Sequence, residues 1–301
     1  MKTGLTLALR ALASAQLALL LAACQSGDQP AATQTNVAAA KAPQQPPAAA
    51  APAPAPTGEA ATAVPLLEQN LAYGEGQKSN LVGFLAMPRD AAEPLPGIIV
   101  IHEWWGLNDQ VKTMTRRLAA EGYVALAVDL YGGATATTPE KAQALMTALL
   151  TDPETGRKNL QQAYDYLEKY ALAPRIGSIG WDLGGSWSLQ TGLLYPDQLD
   201  ALVMYYGQMI GDREQLARLK TPILGFFGSE DKSIPVREVQ NFRSVLNELG
   251  KNAEVLVMIG AGHGFANPSG SNYDEHSAAE AWTRTLEFLK YNLRVTAEPA
   301  Q

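Results

Sequence analysis

From Val64 onward, short apolar runs alternate with longer stretches in which apolar residues recur every three or four positions. That is the signature of strands and helices taken in turn. Leu66–Tyr73 and Asn80–Met87 read as two strands forming a hairpin around Gly74-Glu75-Gly76-Gln77. Gly97–Ile101 is continuously apolar, as a parallel strand buried on both faces should be. A helix is predicted over Asp109–Ala120, stopping at Gly122, and a strand over Tyr123–Val128. Thr138-Pro139 and Asp152-Pro153 each set a capping residue before a proline at the first helical position, so a helix should begin at each. Arg175–Ile179 reads as another buried strand, and Ser186–Leu194 as a helix that ends before Pro196. Strands Ala201–Tyr206 and Pro222–Phe227, helix Val236–Leu249 closed by Gly250, strand Ala253–Ile259 and helix Ser277–Tyr291 complete the series. Alternation of this kind predicts an α/β fold with a mostly parallel central sheet flanked by helices on both faces.

The chain upstream of Val64 has a different pattern. Residues 1–23 carry Lys2 and Arg10, an apolar run from Leu17 to Leu21 and then small residues, which reads as a secretion signal. Leu21-Ala22-Ala23-Cys24 resembles a bacterial lipobox, whose cysteine is lipidated and becomes the mature N-terminus. An ordinary signal peptide with an incidental cysteine is the alternative. Residues 24–63 are Ala, Pro, Gln and Thr with few large apolar side chains. Such a segment cannot bury enough surface to offset its own ordering, so a disordered tether is expected. The expected organisation is therefore signal peptide 1–23, tether 24–63, folded domain 64–293 and tail 294–301. Since Gln25 rather than Asp follows the cysteine, the expected location is the periplasmic face of the bacterial outer membrane, reached through a lipid anchor.

Composition narrows the function. The chain has 301 residues, of which 47% are hydrophobic, enough for one large core. A net charge of −7 argues against a nucleic-acid partner. Cys24 is the sole cysteine, so no disulfide can form within the chain and no thiol is available for catalysis in the domain. No metal or cofactor is expected; the expected partner is a small-molecule substrate.

Gly180-Trp181-Asp182-Leu183-Gly184-Gly185 follows a buried strand and precedes a helix. Strand, Gly-x-nucleophile-x-Gly, helix is the pattern of a nucleophile elbow, where glycines permit a strained turn that lifts one side chain into a pocket. The residue so lifted is Asp182. A base and an orienting acid should follow in the order nucleophile, acid, histidine. Asp231 lies in Gly228-Ser229-Glu230-Asp231-Lys232 and His263 in Gly260-Ala261-Gly262-His263-Gly264-Phe265, each just after a strand. Loops leaving the carboxyl edge of a parallel sheet are where such sites are built. His276, near the start of the last helix, reads as surface, and His102 as a residue bonded to its neighbours. Asp129 reads as structural, Glu230 as solvated, and Trp181 and Trp187 as packing residues.

Together the elbow, His102-Glu103-Trp104-Trp105-Gly106-Leu107-Asn108, Asp129-Leu130-Tyr131-Gly132-Gly133, Gly262-His263-Gly264-Phe265 and Tyr273 through Ala281-Trp282 resemble the dienelactone hydrolase family, over about Leu66 to Leu293. The resemblance implies an α/β-hydrolase fold and a Cys–His–Asp triad that hydrolyses lactones or esters. Carried over by position, it makes His263 the base, Asp231 its orienter and Glu103 an acid near the nucleophile. It also gives the backbone N–H groups of Leu183 and Trp104 to an oxyanion. This sequence departs from the family at Asp182, where the family has cysteine. It departs again after His263, where Ala266-Asn267-Pro268-Ser269-Gly270 lacks the arginine that would bind a substrate carboxylate.

An aspartate changes the chemistry. Its carboxylate is ionised near neutral pH without help from a base. Attack on an ester would give a mixed anhydride and a tetrahedral intermediate that collapses backwards, because carboxylate leaves more readily than alkoxide. Attack on the saturated carbon of an epoxide or alkyl halide meets no such obstacle. The leading expectation is a lipid-anchored family hydrolase of a small ester or lactone-like substrate with Asp182 at the elbow. The alternatives are an Asp-nucleophile hydrolase of epoxide or carbon–halogen bonds, and a binding module without activity.

Overall fold

The structure, a computed structural model, describes residues 64–74 and 81–294. The expected signal peptide, Cys24, the tether, the tip of the first hairpin and most of the tail lie outside the described residues. Eight strands form one sheet: β1 Leu66–Ala72, β2 Val82–Pro88, β3 Gly97–Ile101, β4 Val124–Val128, β5 Ile176–Trp181, β6 Ala201–Tyr205, β7 Ile223–Gly228 and β8 Ala253–Met258. Their order is β1-β2-β4-β3-β5-β6-β7-β8. β1 and β2 pair antiparallel, as does β2 with β4; from β4 to β8 every pairing is parallel. The helices are α1 Asp109–Ala120, α2 Pro139–Thr151, α3 Pro153–Lys169, α4 Leu183–Leu194, α5 Arg213–Arg218, α6 Val236–Glu248 and α7 Glu275–Leu293.

The uniformly apolar strands are explained by two cores. Successive strand side chains point to opposite faces. Ile99 and Ile101 of β3 therefore pack with Leu126, Leu160, Leu167, Leu189 and Phe242 under α2 to α6. Ile98 and Val100 pack with Val111, Leu118, Phe226, Leu289 and Leu293 under α1 and α7. A strand covered on both faces has no solvent side on which to place polar residues.

Local sequence and structure agree at most helix starts. Asn108 Oδ1 accepts from Val111 N–H at 3.1 Å, and Thr138 Oγ1 from Lys141 N–H at 3.4 Å. At Asp152 the capping expectation fails. Its carboxylate makes no N-cap bond to the backbone and instead takes the Thr155 hydroxyl at 2.6 Å, while its N–H closes the preceding helix on Ala148 O. The short α5, capped by Asp212, was not foreseen; six residues are too few to show a helical period.

The elbow helix begins at Leu183 rather than Ser186, so Gly184 and Gly185 belong to its first turn and not to the loop. The reason is steric. A Cβ on Gly184 would lie 2.2 Å from Ile101 O, and one on Gly185 would lie 2.7 Å from Tyr205 O. The glycines let α4 start flush against the ends of β3 and β6, which fixes Asp182 at the carboxyl edge of the sheet. Gly180 makes the closest approach of the three, since a Cβ there would stand 2.0 Å from Gly184 O. The Gly180→Ala domain should lose about 3 kcal/mol or more of stability, because backbone cannot yield as a flexible side chain does. Urea denaturation measures this, and an unchanged midpoint would contradict the tight strand–helix contact.

Candidate active site

Four loops at the carboxyl ends of β3, β5, β7 and β8 converge on one point. Asp182 follows β5 with φ 53 and ψ −118, a conformation that a non-glycine residue adopts at a cost of order 1–3 kcal/mol. Its backbone is pinned on both sides: its N–H donates to Tyr205 O at 3.0 Å, and its carbonyl accepts from Ser186 N–H at 3.2 Å. The side chain is held at both oxygens. Trp104 N–H donates to Oδ2 at 3.1 Å, and His263 Nε2 lies 3.2 Å from Oδ1. His263 Nδ1 in turn bonds Asp231 Oδ2 at 2.8 Å. Asp231 is buried, and its other oxygen accepts from Ser233 N–H at 2.8 Å and Ile234 N–H at 2.9 Å, so its position is set by the backbone.

These distances define an Asp182–His263–Asp231 relay. Burial alone would lower the pKa of the His263 imidazole, but hydrogen bonds to Asp182 and Asp231 and their charges outweigh it and raise the value to about 10. At neutral pH His263 is therefore an imidazolium donating from both ring nitrogens to carboxylates. It can act as a base only when one of those negative charges is removed.

Glu103 stands next to this group. Tyr206 OH donates to its Oε1 at 3.3 Å and Asn267 Nδ2 to its Oε2 at 2.7 Å. Burial, followed by the charge of Asp182, raises the Glu103 carboxyl pKa to about 7 against the two donors, so it carries a proton about half the time near neutrality. Asn267 is itself fixed, because its Oδ1 accepts from Ser269 N–H at 2.9 Å. Tyr206 is fully buried, lies edge-on to His263 at 5.2 Å, and has a positive φ of 36.

The structure thus brings together Asp182, His263, Asp231, Glu103 and Trp104 N–H. Leu183 opens α4 directly after Asp182, and its N–H is among the helix-terminal donors that have no acceptor within the helix. His276 and Glu230 are exposed. Asp129 accepts from the N–H groups of Tyr131 (2.8 Å) and Gly133, shaping its own turn. Trp181 and Trp187 are buried in the two cores. Tyr206 and Asn267 were not singled out from the sequence. Tyr206 sits just past the end of β6, which could have flagged it; Asn267 drew notice only for not being arginine. Among the described residues no group of His, Cys, Asp and Glu could hold a metal ion.

Sheet order, elbow and relay together define an α/β-hydrolase. The chain also matches the model of the dienelactone hydrolase family over residues 81–293. A protein of Saccharolobus solfataricus named "Putative carboxymethylenebutenolidase" is 31% identical over 264 residues, covering 74% of this chain and 98% of that protein. "Protein usf" of Aquifex pyrophilus is 32% identical over 215 residues, covering 69% and 92%. The crystal structure of a "Putative Dienelactone Hydrolase" from Klebsiella pneumoniae superposes with a TM-score of 0.67 at 26% identity, covering 74% of this chain and 98% of that one. The chain belongs to the dienelactone hydrolase family and is a hydrolase.

The relay has a pH signature. The folded-state pKa of His263 lies above the ordinary 6.5, so its contribution to stability is complete below pH 6.5 and disappears as pH rises toward about 10. Across that window wild-type stability should fall more steeply than that of His263→Gln, which has no ring to titrate. Urea midpoints measured at a series of pH values check this, and parallel profiles would contradict the ion-paired imidazolium.

Proposed function

We propose that the domain hydrolyses a small electrophile through a covalent ester on Asp182, and that the electrophilic atom is a saturated carbon, as in an epoxide or alkyl halide. The observation that carries this reading is the Trp104 N–H bond to Asp182 Oδ2. An acyl substrate needs that donor for its own carbonyl oxygen, and here the aspartate takes it. A saturated carbon needs no oxyanion donor in the first step. Its attack by Oδ1 leaves Oδ2 where the second step requires it.

For an epoxide the steps balance as follows. Oδ1 forms a bond to carbon, the carbon–oxygen bond of the ring breaks, and the released alkoxide takes the imidazolium's proton, directly or by way of Glu103, so that His263 is left neutral. Asp182 is now an uncharged ester. Having lost one of its two anionic partners, His263 has a lower pKa and can accept a proton from water. That water adds to Cγ, and the negative charge forms on Oδ2 against Trp104 N–H. Collapse breaks the bond between Cγ and the ester oxygen, releases the diol and regenerates the carboxylate. The departing alkoxide takes the proton of the added hydroxyl, and His263 has regained the proton it supplied.

A second reading, hydrolysis of a small ester or lactone, is supported by the carboxymethylenebutenolidase name carried by several relatives. It requires Asp182 to release Trp104 N–H to the substrate. Asn267 holds Glu103 in the segment where the family's arginine would bind a carboxylate, which favours an uncharged substrate under either reading.

The reading extends to location. Leu21-Ala22-Ala23-Cys24 supports lipidation of Cys24, with residues 24–63 tethering the hydrolase at the periplasmic face of the outer membrane. Among the described residues no helix is long and apolar enough to cross a membrane. A fatty-acid probe should label the wild type and not Cys24→Ala; equal labelling would refute the anchor.

Oxygen tracing tests the chemistry. After a single turnover in heavy-oxygen water, label should sit in the Asp182 side chain while the first product molecule carries none. The assay is run with epoxide, haloalkane and ester panels. Label in the first product and none in Asp182 would exclude the covalent ester.

A further inference from the structure

His102 is fully buried directly before the loop that carries Glu103 and Trp104, and no step of the proposed chemistry uses it. We propose that His102 is a positioning residue: it holds the carbonyl of the one peptide unit whose other end, Trp104 N–H, meets the Asp182 carboxylate.

The two ends belong to the same plane. His102 Nδ1 is 2.7 Å from Glu103 O, and Trp104 N–H, on that same amide, is 3.1 Å from Asp182 Oδ2. A peptide unit is rigid, so fixing its oxygen fixes the direction of its N–H. A donor on the carbonyl also polarises the amide and strengthens the N–H as a donor at the far end.

The ring state follows from its partners. Glu103 O can only accept, so Nδ1 carries the proton. Leu130 N–H donates to Nε2 at 3.0 Å, so Nε2 carries none. Burial lowers the His102 pKa and keeps it neutral, in agreement with those two bonds. The ring therefore ties the loop after β3 to the loop after β4. Tyr131, tilted against the His102 ring at 4.8 Å, gives the loop a second tie by donating its hydroxyl to Trp104 O at 3.1 Å. Behind the β4 loop, Asn159 donates to Asp129 O at 2.8 Å and accepts from Tyr73 OH at 2.6 Å, so the support reaches into the core. The inference rests on this geometry and is independent of which electrophile the site takes.

Two variants of the full chain separate positioning from mere filling. His102→Gln can keep an acceptor for Leu130 N–H but loses the donor to Glu103 O. His102→Asn can keep that donor but loses the acceptor. The first readout is the Trp104 amide proton in heteronuclear NMR, which lies downfield in the wild type because it bonds a carboxylate. It should move upfield in His102→Gln and stay in place in folded His102→Asn. The second is turnover of whichever panel substrate the wild type hydrolyses. His102→Gln should lose roughly 10- to 100-fold in kcat with little change in KM, less than the 10²- to 10³-fold typical of deleting such a donor outright. His102→Asn should restore kcat even where it is the less stable variant. A stable His102→Gln with the Trp104 proton unmoved would overturn the proposal, as would losses that track stability in both variants.

Discussion

The Asp182 carboxylate is fixed at both oxygens, by a backbone N–H on one and an imidazolium on the other, and this arrangement gives the rest of the site its meaning. A carboxylate in a partly enclosed pocket needs partners for its charge. Here those partners are the Trp104 N–H and the His263 imidazolium. An aspartate at this position therefore has two consequences. It occupies the Trp104 N–H, and it holds His263 protonated.

Holding that carboxylate in place requires close backbone packing and strain. Asp182 sits at positive φ because α4 starts hard against the sheet, and only glycine at 180, 184 and 185 allows that approach. Tyr206, also at positive φ, lies edge-on to His263 and donates to Glu103. Leu172, the remaining described non-glycine residue with positive φ, lies in the loop before β5. Residues in sparsely populated conformations persist when their surroundings over-determine them. Around Asp182 and Tyr206 the surroundings are sheet ends and helix termini tied by buried hydrogen bonds. The buried carboxylate of Asp231 completes the support, placed by two backbone N–H groups rather than by another side chain.

Much of this was legible in the chain. The apolar runs gave the buried strands, because a strand covered on both faces has no polar side to confuse the pattern. The order Asp182, Asp231, His263 followed from each residue's place just after a strand. The helix start at Leu183 was not legible, since two glycines read as loop until the carbonyls of Ile101 and Tyr205 crowd them from outside the segment. His102, Tyr206 and Asn267 were missed or set aside for a related reason. The Leu130 bond of His102 and the Glu103 bonds of Tyr206 and Asn267 span 28, 103 and 164 positions of sequence, which no local periodicity records. The His102 bond to Glu103 O, by contrast, joins neighbours, as the sequence suggested. The family resemblance supplied Glu103 and Trp104, but it could not show that Asp182 would take the Trp104 N–H for itself.

Nitrogen-15 NMR of the histidine side chains addresses the central interaction most directly. At pH 8 both ring nitrogens of His263 should be protonated, with deprotonation centred near pH 10 in the wild type and shifted well down in Asp182→Asn. A wild-type His263 that titrates near 6.5, unmoved by Asp182→Asn, would mean that the two carboxylates do not hold the ring as an ion pair, and the proposed resting state would be wrong.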